Sequence, residues 1–242
     1  MAQEENKLQF DDVSVTLRGE RLIENLSLTV GPGEITTVMG PSGSGKSTLL
    51  AFACGTLDPA FTEKGRVILN GIDVTHLPPE ERRMGILFQD DLLFPHLSVG
   101  ENLAFGLPRG LSSDERRARI EAALADADME TFAERDPATL SGGQRARIAL
   151  LRTLAAEPRA LLLDEPFSKL DARLRERFRR FVFQHATEQS LPTLLVTHDP
   201  ADAAAAGGSV IEIGPTVASG ISEGGAHLPQ DQSHGGLTPQ VE

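Results

Sequence analysis

The chain has 242 residues, 40% of them hydrophobic, a formal net charge of −12, one Cys and neither Trp nor Tyr. That length suits one large domain or a domain with an insertion, and the acidic balance argues against a general nucleic-acid binder, whose affinity rests on phosphate neutralisation by Lys and Arg. Cys54 has no partner for an internal disulfide, the opening MAQEENK lacks a signal-like apolar stretch, and no apolar run nears the roughly 18 to 20 residues that span a bilayer, so a reducing cytosolic compartment is expected.

In chain order, alternation over Val13–Leu17 and Leu26–Val30 predicts two half-buried strands joined by a turn at Arg18-Gly19, an antiparallel edge layer. Glu34–Met39 is a β-rich run, and Ser47–Ala53 reads as a helix. Between them Gly40-Pro41-Ser42-Gly43-Ser44-Gly45-Lys46-Ser47, followed by Thr48, matches the phosphate loop G-x-x-x-x-G-K-[ST] in its required strand–loop–helix setting. Glycines let successive backbone N–H groups curl around phosphate oxygens, the helix start adds its positive dipole end, Lys46 reaches the β and γ phosphates, and the Ser47 hydroxyl serves Mg²⁺. A merely flexible glycine turn leaves the lysine and hydroxyls in this order unexplained.

Arg66–Val74 carries the Asn70-Gly71 turn signal of a hairpin. From about Gln89 to Pro158 the pattern turns helical: Ser112 with Glu115 is a capping-box signature ahead of Arg116–Ala127, and Ser141 can cap a helix with Ile148, Leu151, Leu154 and Ala155 at helical spacing. Short apolar strands return at Ala160–Leu163 and Thr193–Thr197, separated by an Arg-rich helical segment, as in a parallel α/β core. The first of them ends in Asp164-Glu165. At a strand C-terminus Asp164 is placed to hold Mg²⁺ through water and Glu165 to polarise an attacking water; the alternative is an acidic pair favouring a following helix N-terminus. On the helical segment Arg173, Arg177 and Arg180 share a face with Glu176, which reads as a solvated face with intrahelical pairs. Beyond about Thr216 the composition shifts to Gly, Ser, Pro, Gln and His, and residues 216–242 are expected to form a disordered tail.

Leu140-Ser141-Gly142-Gly143-Gln144, with the phosphate loop before it and Leu163-Asp164-Glu165-Pro166 after it, resembles the ATP-binding subunit of ABC transporters. Ser141 and the N–H groups of Gly142 and Gly143 can form a second phosphate-binding helix start. The resemblance implies that Ser141 to Gln144 serve the ATP held by a second subunit in a head-to-tail dimer. It further implies that Gln89 touches Mg²⁺ or the attacking water, that Ser168-Lys169-Leu170-Asp171 crosses the dimer interface, and that His198, in Val196-Thr197-His198-Asp199, contacts the γ-phosphate. The family commonly has Ala where this chain has Lys169, and an aromatic ring under adenine where this chain has Leu17-Arg18-Gly19. Weak discrimination of ATP from GTP is therefore expected.

The fold implied is an α/β P-loop NTPase core with a parallel sheet, an antiparallel β subdomain and an inserted α-helical subdomain at about 90–157, within an ATPase domain at 1–215. ATP and Mg²⁺ are the cofactors implied, with catalysis by Glu165, His198 and Lys46. The partners implied are a second ATPase subunit, integral membrane permease subunits and a periplasmic or extracellular solute-binding protein, at the cytoplasmic face of the inner membrane. Asp91–Asn102, with Asp164-Glu165-Pro166-Phe167-Ser168 and Leu170-Asp171, is most similar to importers of the molybdate, iron, polyamine and thiamine type, and Phe94 beside Pro95 is a reasonable docking point for the permease. The other reading is a soluble ABC ATPase acting on a nucleic-acid or protein assembly. Such relatives usually carry paired nucleotide domains, coiled coils or basic surfaces, which this sequence does not show.

Overall fold

A computed structural model describes residues 6–214. In β1 (Leu8–Leu17) burial alternates through Leu8 and Phe10, then slips by one residue so that Val13 and Val15 return to the same buried face. The slip is a bulge at Asp11–Asp12, where Asp12 takes a left-handed φ of 51° and the register shifts against both neighbouring strands. A bulge restores the apolar face that a one-residue offset would otherwise turn to solvent. Gly65 on the facing strand has φ +92°, and a Cβ there would lie 2.5 Å from the Asp12 carbonyl oxygen, so the bulge requires glycine opposite it.

Around β1 an antiparallel sheet has the order β2 (Glu20–Val30), β1, β4 (Phe61–Leu69), β5 (Ile72–Asp73). Arg18-Gly19 forms the hairpin turn predicted for it, both residues at positive φ, and Asn70-Gly71 does the same between β4 and β5. The second sheet is parallel, in the order β6 (Met84–Leu87), β7 (Ala160–Asp164), β8 (Thr193–Thr197), β3 (Ile35–Met39), β9 (Val210–Glu212). Both flanking strands, β6 and β9, are short and lie beyond what the sequence patterns pick out.

Every residue of β8 is buried, as are Ala160 to Leu163 of β7, because both faces of the parallel sheet are covered. Leu162, Leu194 and Val196 face α1 (Lys46–Cys54) and the antiparallel sheet, while Leu161, Leu163 and Leu195 face α4 (Gly142–Ala155) and α5 (Ala172–Glu188). Each fully buried leucine stabilises this arrangement by roughly 1.5–3 kcal/mol.

Helices α2 (Val99–Gly106) and α3 (Ser113–Asp126) pack Val99, Leu103 and Leu124 around Ile148 and Leu151 of α4. Helix α4 thereby presents one apolar face to this helical cluster and another, through Ala146, Ala149 and Leu150, to the parallel sheet. Capping boxes open all three, at Ser98 with Glu101, Ser112 with Glu115, and Ser141 with Gln144. Among the described residues no helix is long and apolar enough to cross a membrane. The predicted tail at 216–242 lies outside the described residues.

Candidate active site

Strand order and register bring the chemistry together. Met39 pairs with Thr197 and Asp164 with Val196, so the loops leaving the C-terminal ends of β3, β7 and β8 emerge side by side. Ligands in open α/β sheets meet these ends.

After β3 the loop Gly40–Gly45 runs into α1. Gly43 and Gly45 sit at φ +83° and +90°, and Gly45 occupies the N-cap position without a side-chain cap bond, which leaves the first backbone N–H groups of α1 to an anion. A Cβ at Gly45 would come 3.2 Å from the Leu22 side chain, so β2 lies close against the loop. Ser44 Oγ is buried with no hydrogen-bond partner among the described residues, an orphaned donor in the cradle. Lys46 is 5% exposed, and its ammonium donates to Gly40 O at 2.8 Å and Pro41 O at 2.9 Å. Pro41, Ser42 and Gly43 are exposed along the rim, and Thr48 is half-buried in the first turn of α1.

Ser47 Oγ donates to Asp164 Oδ1 at 3.0 Å. Burial pushes the Asp164 carboxyl above its ordinary pKa of 3.8, the Ser47 hydrogen bond pulls it down, Glu165 raises it and Lys46 lowers it. A hydroxyl and a carboxylate are hard oxygen donors, the kind of set to which Mg²⁺ adds water and phosphate oxygens, so these two side chains fit that ion. Among the described residues no group of three or more His, Cys, Asp or Glu could hold a metal, so any ion here would need oxygens from its ligand and from water.

Glu165 has φ 46°, a left-handed conformation that costs a non-glycine residue on the order of 1–2 kcal/mol. Its N–H still donates to Val196 O at 2.9 Å, which holds the turn against β8. Glu165 Oε1 lies 3.0 Å from His198 Nδ1 and 4.0 Å from Lys46 Nζ. A carboxylate, an imidazole and an ammonium thus converge beside the phosphate loop, the acid–base set that water activation next to a phosphoryl group calls for.

Two other predicted elements, at Ser141 and Asp171, lie at helix starts. Ser141 caps α4, its Oγ accepting from Gln144 N at 3.3 Å while Gln144 Oε1 accepts from Ser141 N at 2.9 Å. Gly142 is exposed, whereas Gly143 is buried with Leu174 of α5 over it, where a Cβ would approach the Leu174 side chain to 2.4 Å. Asp171, expected at the dimer interface, accepts from Leu174 N at 3.0 Å and caps α5, so it fixes the helix that packs on Gly143.

Gln89 is exposed just past β6, in a loop whose neighbours are held down: Asp90 pairs with Lys169, Asp91 with Arg145 at 3.3 Å, and Arg152 donates to Leu92 O at 2.9 Å. Burial raises the Asp91 carboxyl, opposed by the Arg145 hydrogen bond and charge. This loop, the start of α4 and Pro166–Leu170 border a cleft of about 510 Å³. Buried Asn102 organises the Phe94–Ser98 segment by donating to Phe94 O, Leu97 O and Ser98 O. Phe94 is half-buried and edge-on to Phe105, which is 68% exposed. Leu17 lies opposite Phe61 across the β1/β4 ladder, so an aromatic ring neighbours the Leu17-Arg18-Gly19 position from β4.

A family model described as ABC transporter matches residues 23–168. The uncharacterized ABC transporter ATP-binding protein YnjD of Escherichia coli K12 is 49% identical over 191 residues, covering 79% of this chain and 88% of that protein. The sulfate/thiosulfate import ATP-binding protein CysA of Methylococcus capsulatus is 41% identical, with 81% of this chain and 57% of the relative covered. The Fe(3+) ions import ATP-binding protein FbpC of Escherichia coli O157:H7 is 37% identical, with 86% and 59% covered, so the chain spans under two thirds of these two import relatives. Among solved structures, the dimeric bacterial ABC transporter cassette MJ0796 superposes with a TM-score of 0.71 at 31% identity, covering 86% of this chain and 94% of that one. Its post-hydrolysis dimer bound to ADP and Pi does so with the same score, covering 87% and 97%. With its phosphate loop, its Ser141 helix start and these matches in agreement, the chain belongs to the ABC transporter family as an ATP-binding, ATP-hydrolysing subunit.

Proposed function

We propose that this protein is the ATPase subunit of an importer, working as a head-to-tail pair at the cytoplasmic face of the inner membrane with separate permease subunits and a solute-binding protein. The observation that carries the catalytic assignment is Glu165 Oε1 at 3.0 Å from His198 Nδ1 and 4.0 Å from Lys46 Nζ, beside Ser47 bonded to Asp164. The import-type names of the relatives that match across the cassette support the direction of transport. The ATPase domain spans 1–215, with the helices at about 90–157 as its inserted subdomain.

In this reading the open backbone N–H groups of the loop between Ser42 and Thr48 and the Lys46 ammonium bind the β and γ phosphates. Lys46 leaves the Gly40 and Pro41 carbonyls for phosphate oxygens, a stronger charge-assisted contact. Ser47, Asp164 and Gln89 would hold Mg²⁺, which would supply positive charge against the phosphates. Glu165 takes the proton of the attacking water, and His198 orients the Glu165 carboxylate and the γ-phosphate. Ser141, Gly142, Gly143 and Gln144 of the partner copy close over the same ATP, with Asp171 at the seam. ATP binding favours the closed pair and hydrolysis the open one. The Gln89–Val99 segment, which carries Phe94 with Phe105 against it, passes the motion to the permease.

The test combines Pi release with light scattering. Glu165→Gln is expected to lose turnover and remain a dimer in ATP, and Lys46→Ala to lose nucleotide binding. Turnover retained by Glu165→Gln removes that residue from the role of base.

A further inference from the structure

The residues on either side of His198 are tied to α5 by side chains that the proposed chemistry does not use. Asp199 Oδ2 accepts from Arg175 Nη1 at 2.6 Å, its Oδ1 accepts from Ala201 N at 2.8 Å, and its N–H donates to Thr197 Oγ1 at 3.1 Å. Thr197 Oγ1 donates in turn to Asp202 Oδ2 at 3.1 Å, and Asp202 Oδ1 accepts from Arg179 Nη1 at 2.9 Å. The Asp202 side chain is 3% exposed and Arg175 and Asp199 are 27% exposed each. Pairs this sheltered hold their geometry better than solvated ion pairs do.

The other arm of Arg175 faces the segment after Glu165. Its Nη2 lies 3.5 Å from both Ser168 O and Leu170 O, while Ser168 donates to Glu165 O through N at 3.2 Å and through Oγ at 2.9 Å. A closed circuit results: Glu165 backbone, Ser168, Arg175, Asp199, His198, and back through His198 Nδ1 to Glu165 Oε1. The His198 ring is itself 57% exposed and has little packing to place it, so its position is inherited from Thr197 and Asp199.

We propose that Arg175 is a positioning residue for ATP hydrolysis, locking the segment that follows Glu165 to the segment that carries His198. The inference rests on the roles assigned above to Glu165 and His198. Arg180, on the same helix, supplies the control, since it is exposed and pairs with Glu176 one turn away. A misplacement of about 1 Å in a reacting constellation costs on the order of 100-fold in rate.

The experiment measures steady-state ATP hydrolysis and fluorescent-ATP affinity on the full chain. Arg175→Met is expected to lower kcat roughly 10- to 100-fold with ATP affinity within about 2-fold of wild type. Arg175→Lys, which keeps the charge toward Asp199 but cannot also span two carbonyls, should recover part of the loss. Asp199→Asn should resemble Arg175→Met, and the double variant should be no worse than either single one. Arg180→Met should match wild type, and His198→Ala should lose turnover. If Arg175→Met turns over like Arg180→Met while His198→Ala is inactive, the inference falls and the site reading stands. Loss of ATP affinity along with kcat in Arg175→Met, without rescue by lysine, would make Arg175 a folding residue and overturn the inference. Wild-type turnover in His198→Ala would instead remove the site reading, and the inference with it.

Discussion

Arg82 offers the sharpest test of how the phosphate-loop helix is held. It is 5% exposed, and among the described residues no acidic side chain is hydrogen-bonded to it. Its guanidinium donates to Phe52 O at 2.7 Å and Ala53 O at 2.8 Å, the open end of α1, and to Leu77 O at 2.8 Å and Thr75 O on the connection that follows β5. Burial lowers its pKa, a sign that the cation pays for its place. Gly55 makes room for it, since a Cβ there would lie 2.6 Å from the guanidinium. Replacing Arg82 with Met removes every donor at once. Phe52 O keeps a partner in Gly55 N at 3.1 Å, while the other carbonyls lose their guanidinium donor. Each orphaned carbonyl costs about 1–3 kcal/mol, and removal of the buried charge returns part of that, so the net loss is about 3–5 kcal/mol. For a domain of this size that lowers Tm by roughly 10 °C. Urea and thermal denaturation of Arg82→Met and Arg82→Lys measure it, the lysine variant recovering less than half because one ammonium cannot span carbonyls on two elements. A Tm drop under about 2 °C, or full recovery by lysine, refutes the reasoning.

The raised Asp164 carboxyl gives a pH prediction with a definite sign. A group whose folded pKa exceeds its unfolded one favours the folded state when protonated, so this contribution is lost as pH rises from the ordinary 3.8 through the raised folded value. In nucleotide-free protein Asp164→Asn should therefore be at least as stable as wild type at pH 7, with the advantage vanishing in acid, while ATP hydrolysis is lost; lower stability of the variant at neutral pH would contradict the burial argument. Cys54 is buried with its thiol pushed up to about 11, so at pH 8 roughly one molecule in a thousand carries the thiolate. Alkylation by iodoacetamide in native buffer should be slow and should become fast in urea, as read by mass spectrometry. Gly65→Ala must place a Cβ 2.5 Å from a backbone oxygen at φ +92° and is expected to cost at least about 2 kcal/mol, whereas Gly71→Ala, with open space around it, should cost less; equal urea midpoints would remove the bulge argument.

Local chemistry was legible in the sequence wherever a residue's role depends on its near neighbours. The phosphate loop between strand and helix, the capping box at Ser112 and the cap at Ser141, the hairpin turns at Arg18-Gly19 and Asn70-Gly71, and the carboxylates ending β7 each sit within a few residues of what defines them. Strand order was not legible. Only the folded sheet sets Thr197 against Met39 and Val196 against Asp164, and so brings His198 to Glu165 and Ser47 to Asp164 across separations such as 117 residues. The arginines show the limit most clearly. Arg173, Arg177 and Arg180 share a helical face, a property of spacing, and all three are exposed. Arg175, Arg179 and Arg82 look no different in sequence, yet they are drawn inward because their partners, Asp199, Asp202 and the end of α1, come from elements that only tertiary packing places within reach of a guanidinium.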